Sequence, residues 1–146
     1  MRLRHLLAIV PFALAACGDS STATTAVPIE STTFAPSLGV NLSASTKTPS
    51  GLYYRDIRVG TGKAIAAGDT INVKYSGALA NGTTFDAGTY RFKIPGQVIA
   101  GWNEGLIGVK IGGSRQLIIP PSLGYGAAGN RDIPPNAVLV FTVEPL

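Results

Sequence analysis

VKYSGALANGTTFD, residues Val73 to Asp86, is the stretch whose reading decides the fold. Val73, Tyr75 and Gly77 alternate with Lys74, Ser76 and Ala78, which is the period of a strand. Asn81-Gly82 is the pair favoured in a two-residue type I′ turn. The segment therefore predicts a β-hairpin whose return strand ends on Phe85-Asp86, an aromatic ring followed at once by a carboxylate. No nucleophile–base pair and no metal-ligand cluster stands beside it in the sequence. A site built here is expected to be an aromatic-walled hollow with one acid at its edge.

Working outward, Leu52 to Val59 alternates well enough for a strand, and Gly60-Thr61-Gly62 turns the chain. Ala67-Gly68-Asp69 is a second turn leading into the long strand Thr70 to Ala80, and Tyr90 to Ile94 reads as a short strand. Val98 to Leu106 is the one plausible helix, with Ile99, Trp102 and Leu106 at spacings of three and four on one face. Ser114 to Ile119 is a further strand, stopped by Pro120-Pro121. After a glycine-rich loop, Ala137 to Val143 alternates again, with Leu139, Phe141 and Val143 on one side. The pattern predicts an α+β domain over residues 50–146, with five or six antiparallel strands and one short covering helix. Such a sheet leaves a shallow apolar hollow beneath the helix, with Trp102 as its floor.

Composition narrows the function classes. The 146 residues are 45% apolar, with 18 glycines and 10 prolines, which favours short strands and many turns over a helical bundle. Met1 to His5 is a basic run and Leu6 to Leu14 an apolar one, too short for the ~20 residues a bilayer span needs but right for a secretory signal. Leu14-Ala15-Ala16-Cys17 resembles the bacterial lipoprotein box, so residues 1–17 are expected to be a signal peptide and Cys17 the acylated new N-terminus. The alternative is a plain signal peptide that happens to carry a cysteine. Gly18 rather than Asp follows the cysteine, so the expected location is the cell envelope, on the periplasmic face of the outer membrane in a diderm bacterium. Two or more acyl chains anchor stably where one is marginal.

Residues 18–49 are rich in Ser, Thr, Ala and Pro and nearly uncharged, and predict a disordered tether with a reach of roughly 30 Å. Without Arg2 and Arg4 the 12 basic residues fall to 10, against 8 acidic. They form no stripe, so nucleic acid is not an expected partner. His5 falls in the leader, leaving no histidine for catalysis or metal binding, and no metal or other cofactor is expected.

Several motifs are decoys. Gly124-Tyr125-Gly126-Ala127-Ala128-Gly129 matches a dinucleotide fingerprint, but prolines flank it where a strand and a helix are needed. Asp56, Asp69, Asp86 and Glu104 are single carboxylates on different turns, so no paired acids of the glycosidase kind are indicated. Ser76 and Ser114 lack a partner histidine.

Tyr75-Ser-Gly77, Asn81-Gly82, Phe85-Asp86, Val98-Ile-Ala-Gly-Trp102 with Glu104-Gly105, Tyr125-Gly126, and Ile133-Pro-Pro135 through Leu139-Val-Phe141 resemble the FKBP-type peptidyl-prolyl cis/trans isomerases. The likeness runs from Gly51 to the C-terminus. It implies a half-open antiparallel sheet wrapped around one short helix, and isomerase activity on X–Pro bonds of exported proteins. By position it implies Trp102 as the pocket floor and Tyr75, Phe85, Tyr90, Val98, Ile99 and Phe141 as walls. Asp86 would stand at the rim, the Tyr125 hydroxyl would meet the bound peptide, and the Ile99 N–H would meet a substrate carbonyl. Proline-containing unfolded proteins and macrolide inhibitors are the implied ligands. A monomer is expected, because no dimerisation segment is present.

Read without the resemblance, Trp102, Tyr75 and Phe141 are core residues by default, and Asp86 is a turn residue capping local N–H groups. Only Ala87-Gly88-Thr89 separates Asp86 from Tyr90, a shorter connection than in well-known single-domain members. This keeps open a second reading, an FKBP-like module that holds proline segments with little turnover.

Overall fold

The computed structural model describes residues 26–146; the leader, Cys17 and the first part of the tether lie outside the described residues. One antiparallel sheet carries the fold. Its strands are β1 (Thr46–Lys47), β2 (Tyr53–Arg58), β3 (Thr70–Leu79), β4 (Thr84–Lys93), β5 (Ser114–Ile119) and β6 (Leu139–Pro145). Their order across the sheet is β1-β2-β5-β6-β3-β4. The upper strand count expected from the sequence is the one observed. The single α-helix among the described residues, α1 (Ala100–Gly105), lies against the inner face.

Period-two alternation explains which side chains meet α1. Val73, Tyr75 and Gly77 of β3 pair with Tyr90, Gly88 and Asp86 of β4. On the other side the same residues pair with Pro145, Val143 and Phe141 of β6. Leu117 and Ile119 of β5 continue the face. Val73, Leu106, Leu117, Ile119, Leu139 and Val143 are fully buried there, with Trp102 and Phe141 beside them. Each such side chain contributes about 1.5–3 kcal/mol by leaving water.

The helix is shorter than the expected Val98 to Leu106. Ile99 is extended, with φ −57° and ψ 147°, and has no side-chain cap, so regular hydrogen bonding starts only at Ala100. Gly101 and Gly105 lie four apart, on one face. A Cβ on them would come 2.7 Å from Ile119 and 2.6 Å from Leu117, so the two glycines let α1 press onto β5. At the other end, the buried Arg115 of β5 donates from Nη1 to the carbonyls of Gly105 and Ile107, at 3.0 and 3.2 Å. The Gly105 carbonyl is one that a helix end leaves without a partner, and the Ile107 carbonyl lies just beyond the cap. The other edge of Arg115 grips Asp56 of β2 in two hydrogen bonds of 2.6 and 3.0 Å.

Three expectations about the chain path need correction. The hairpin turn is not type I′, which requires positive φ at both central residues. Only Gly82, at φ 91°, is in that region. Leu79 donates to Thr83 O and accepts from Gly82 N–H, both at 2.9 Å, which makes a three-residue loop. Asn81 instead uses its side-chain oxygen to accept the Thr83 N–H at 2.9 Å.

The return strand does not end at Asp86. Ala87, Gly88 and Thr89 pair with Ser76, Tyr75 and Lys74, so the hairpin arm and the expected strand at Tyr90 are one strand, β4.

The largest difference concerns residues 26–49, expected to be part of a disordered tether. They run across the outer face of the sheet through three 3₁₀ turns, at Ile29–Ser31, Pro36–Leu38 and Leu42–Ala44. Ile29 is buried with Tyr53, Ile118 and Val138, and Phe34, Val40 and Leu42 pack around them. Polar ties fix the path. Gln116 donates to Leu38 O at 2.7 Å and Arg55 to Gly39 O at 2.8 Å. The Ala35 N–H donates to Ala80 O at 2.8 Å, and Glu30 accepts from Tyr53 and Lys47. A few apolar anchors on a ready-made apolar face suffice to offset the ordering entropy that the polar composition alone would not.

Candidate functional site

A hollow of about 250 Å³ opens where β3, β4, β6 and α1 converge. Its floor is Trp102, 5% exposed. The indole meets Tyr75 edge-on at 5.1 Å and Phe141 edge-on at 5.3 Å between ring centroids, and Phe92 supports it at 5.7 Å. Phe85 stands edge-on to Phe141 at 5.5 Å. Edge-to-face packing of this kind fixes ring orientation as well as burying area. The Trp102 Nε1–H is buried and meets no acceptor among the described residues.

Adjacent residues of a regular strand face opposite ways, so Phe85 and Asp86 could not both line one hollow. A bulge resolves this. Gly77 pairs with Asp86 and Ala78 with Thr84, leaving Phe85 as the extra residue in β4. The bulge turns the ring inward beside the carboxylate. Gly77 makes the space: a Cβ there would lie 2.5 Å from Phe141 and 2.8 Å from Phe85.

Tyr75 sits opposite Gly88, and its side chain passes over that glycine to Asp86, its diagonal neighbour. The hydroxyl donates to Asp86 Oδ2 at 2.9 Å. Loss of water around the ring, and then the bond to the carboxylate, raise the Tyr75 pKa above its ordinary 10.0. Tyr75 therefore remains a neutral donor.

The far wall is the segment after β4. Gln97, Val98 and Ile99 line it, and Tyr125 closes the rim from the loop between β5 and β6. The Tyr125 hydroxyl makes no hydrogen bond to the described residues, and neither does the Ile99 N–H. Gly126 and Gly129, at φ 61° and 66°, set the path of the Tyr125 loop, which joins a 3₁₀ turn to β6; the dinucleotide-motif context is absent.

All nine residues picked out in the sequence, Tyr75, Phe85, Asp86, Tyr90, Val98, Ile99, Trp102, Tyr125 and Phe141, line this one hollow. Tyr90 is 46% exposed and stacks on Phe92 at 5.6 Å, so it forms the outer lip rather than a buried wall. Gln97 was missed. A polar residue after Pro95-Gly96 carries no periodic signal, and only its place beside Val98 marks it. No group of metal-ligating side chains is found among the described residues.

Similarity to known proteins agrees with this geometry. A family profile described as FKBP-type peptidyl-prolyl cis-trans isomerase matches residues 61–146. FkpA of Escherichia coli strain K12, named as an FKBP-type peptidyl-prolyl cis-trans isomerase, is 44% identical over 118 residues, covering 77% of this chain and 42% of FkpA. The crystal structure of Escherichia coli FkpA superposes with a TM-score of 0.66 at 42% identity, over 70% of this chain and 50% of that one. The crystal structure of AtFKBP13 superposes with a TM-score of 0.65 at 36% identity, over 69% of this chain and 95% of that one. The chain spans less than half the length of the curated relatives it matches, 29% for FK506-binding protein 4 of Dictyostelium discoideum. With the profile covering the hairpin, the helix and the Tyr125 loop alike, the chain belongs to the FKBP-type peptidyl-prolyl cis-trans isomerase family.

Proposed function

We propose that this chain catalyses cis/trans rotation of X–Pro bonds in exported proteins, by holding the twisted amide in the hollow above Trp102. The observation that carries the reading is the closed aromatic set of Trp102, Tyr75, Phe85 and Phe141 with one carboxylate, Asp86, bound to Tyr75 at its rim. X–Pro rotation must cross ~18–20 kcal/mol of amide resonance, and no covalent bond breaks. The twisted amide has lost part of its conjugation and dipole, so an apolar floor favours it over the planar form. The unpaired Ile99 N–H and Tyr125 hydroxyl are suited to hold the flanking peptide carbonyls. A ten-thousand-fold acceleration asks for only about 5.5 kcal/mol of such preference.

The chain is further read as a monomeric envelope lipoprotein, lipidated at Cys17. No helix among the described residues is long and apolar enough to cross a membrane. Metabolic labelling with a palmitate analogue, lost in Cys17→Ser, tests the anchor. Macrolides are candidate inhibitors of the same hollow.

The activity is tested with a Leu-Pro test peptide and the chain from Gly18 to Leu146, so that the packed arm is retained. Asp86→Val, Tyr125→Phe and Trp102→Leu are run beside it. Catalysis that falls in all three folded variants supports the reading. A folded wild-type chain without catalysis that still binds the peptide would favour the holding module instead; the uninterrupted β4 after Asp86 is the feature behind that second reading.

A further inference from the structure

Between β4 and α1 the wall segment Pro95 to Ile99 has little to hold it. Ile94 is tied at both backbone groups, N–H to Asp69 O at 2.9 Å and C=O from the Gly68 N–H at 2.7 Å. After it, the Pro95–Val98 backbone makes hydrogen bonds at one residue only among the described residues. The Gly96 N–H donates to Asn103 Oδ1 at 2.9 Å, and Asn103 Nδ2 donates back to Gly96 O at 3.1 Å. One side-chain amide thus pairs face to face with one peptide group. Gly96 is needed for the tight path of the chain after β4, because a Cβ there would lie 2.3 Å from Lys93 O. The main chain of Asn103 also donates to Ile99 O, at 3.4 Å. Asn103 follows Trp102 directly in α1, so a single helical turn carries the floor and the tie to the wall.

We propose that Asn103 is a positioning residue for peptide binding, holding Gln97, Val98 and the Ile99 N–H in register with the Trp102 floor. The proposal rests on the isomerase reading for its substrate class, a proline-containing peptide. A wall left loose would have to be ordered by each incoming peptide, which lowers affinity before it touches the rotation step. The two bonds are not equivalent under substitution. Asn103→Asp keeps an acceptor for the Gly96 N–H and loses the donor to Gly96 O, whereas Asn103→Ala loses both.

The test compares wild type, Asn103→Ala, Asn103→Asp and the neighbouring Glu104→Ala, which faces Ser50 instead, all in the chain from Gly18. Three quantities are read: hydrogen exchange at the Gly96 amide, peptide affinity from Trp102 fluorescence, and KM against kcat. Losing both bonds is expected to weaken affinity and raise KM about tenfold with kcat changed far less, and to speed Gly96 exchange at least about tenfold. Asn103→Asp should fall between, with Gly96 protection largely kept, and Glu104→Ala should match wild type. A folded Asn103→Ala with wild-type affinity and KM overturns the proposal. So does a loss confined to kcat. If Asn103→Ala does not fold, Asn103→Asp decides by the same criteria. A wild type that binds the peptide without turning it over sinks the isomerase reading but leaves affinity and exchange to judge Asn103.

Discussion

The Tyr75 hydroxyl and the Asp86 carboxylate are joined by a 2.9 Å hydrogen bond that bridges β3 and β4 at the mouth of the hollow. The bond ties the exposed carboxylate to the rim of the pocket. Tyr75→Phe keeps the ring above Trp102 and removes only the donor. A hydrogen bond to a charged group contributes about 1.5–3 kcal/mol, so kcat/KM should fall roughly tenfold with peptide rotation as the readout. Equal activity in the folded variant would mean that the carboxylate needs no anchor.

The same pair gives a pH dependence with a definite sign. The folded-state pKa of Tyr75 is raised above 10.0, chiefly by loss of water around the ring. Its contribution to stability is therefore fully present below pH 10 and is lost as pH rises through the raised value. Wild type should lose more stability than Tyr75→Phe in urea unfolding between neutral pH and pH 11. Parallel losses would contradict this.

Gly77→Ala probes the bulge from beneath. The new methyl would meet Phe141 at 2.5 Å and Phe85 at 2.8 Å, and both rings are pinned by their contacts with each other. Overpacking of this kind costs about 1–3 kcal/mol. The stability loss should be accompanied by weaker peptide binding, since the rings that must move are the walls. Unchanged affinity in the folded variant would show that Phe85 is not needed at the site.

Arg115 supports the floor from behind, through Asp56 on one side and the carbonyls of Gly105 and Ile107 on the other. Arg115 is buried although Asp56 is partly exposed, so removing the carboxylate leaves a buried guanidinium without its counter-charge, which is more damaging than replacing both residues. Asp56→Ala should therefore destabilise the fold, and Arg115→Met/Asp56→Leu should restore part of that loss. Thermal unfolding of the three chains checks the order.

The hairpin and the helix were legible because their signals are local: alternation, and a tryptophan at helical spacing. The nine pocket residues came together only through the resemblance to the FKBP-type family, since read alone Trp102, Tyr75 and Phe141 are core residues and Asp86 a turn residue. The bulge at Phe85 was not legible, since it appears only when β4 is laid against β3. The pairing of Asn103 with Gly96 was hidden for a like reason, because a single half-buried amide in a one-turn helix has no period. The arm at residues 26–49 was misread because its anchors, Ile29, Phe34, Val40 and Leu42, are irregularly spaced among Ser, Thr and Pro. Its trace lay in the strands it covers. Leu117-Ile118-Ile119 and Val138-Leu139-Val140-Phe141 are continuous apolar runs, the pattern of strands covered on both faces.

That arm makes the last prediction. Deleting residues 18–45 exposes Tyr53, Ile118 and Val138 on the outer face, so the shortened domain should be less stable and more prone to associate. Ile29→Ala in the longer chain should cost about 2–4 kcal/mol, as for other buried large-to-small changes. The arm also has an acid limit. Hydrogen bonds from Lys47 and Tyr53 lower the Glu30 pKa from 4.5 to about 2. Its contribution is present above pH 4.5 and is lost as pH falls toward about 2. The stability gap between the longer and shorter chains should therefore narrow over that window, and Glu30→Gln should abolish the narrowing. A gap that stays constant down to pH 2 would mean that the arm is held by its apolar anchors alone.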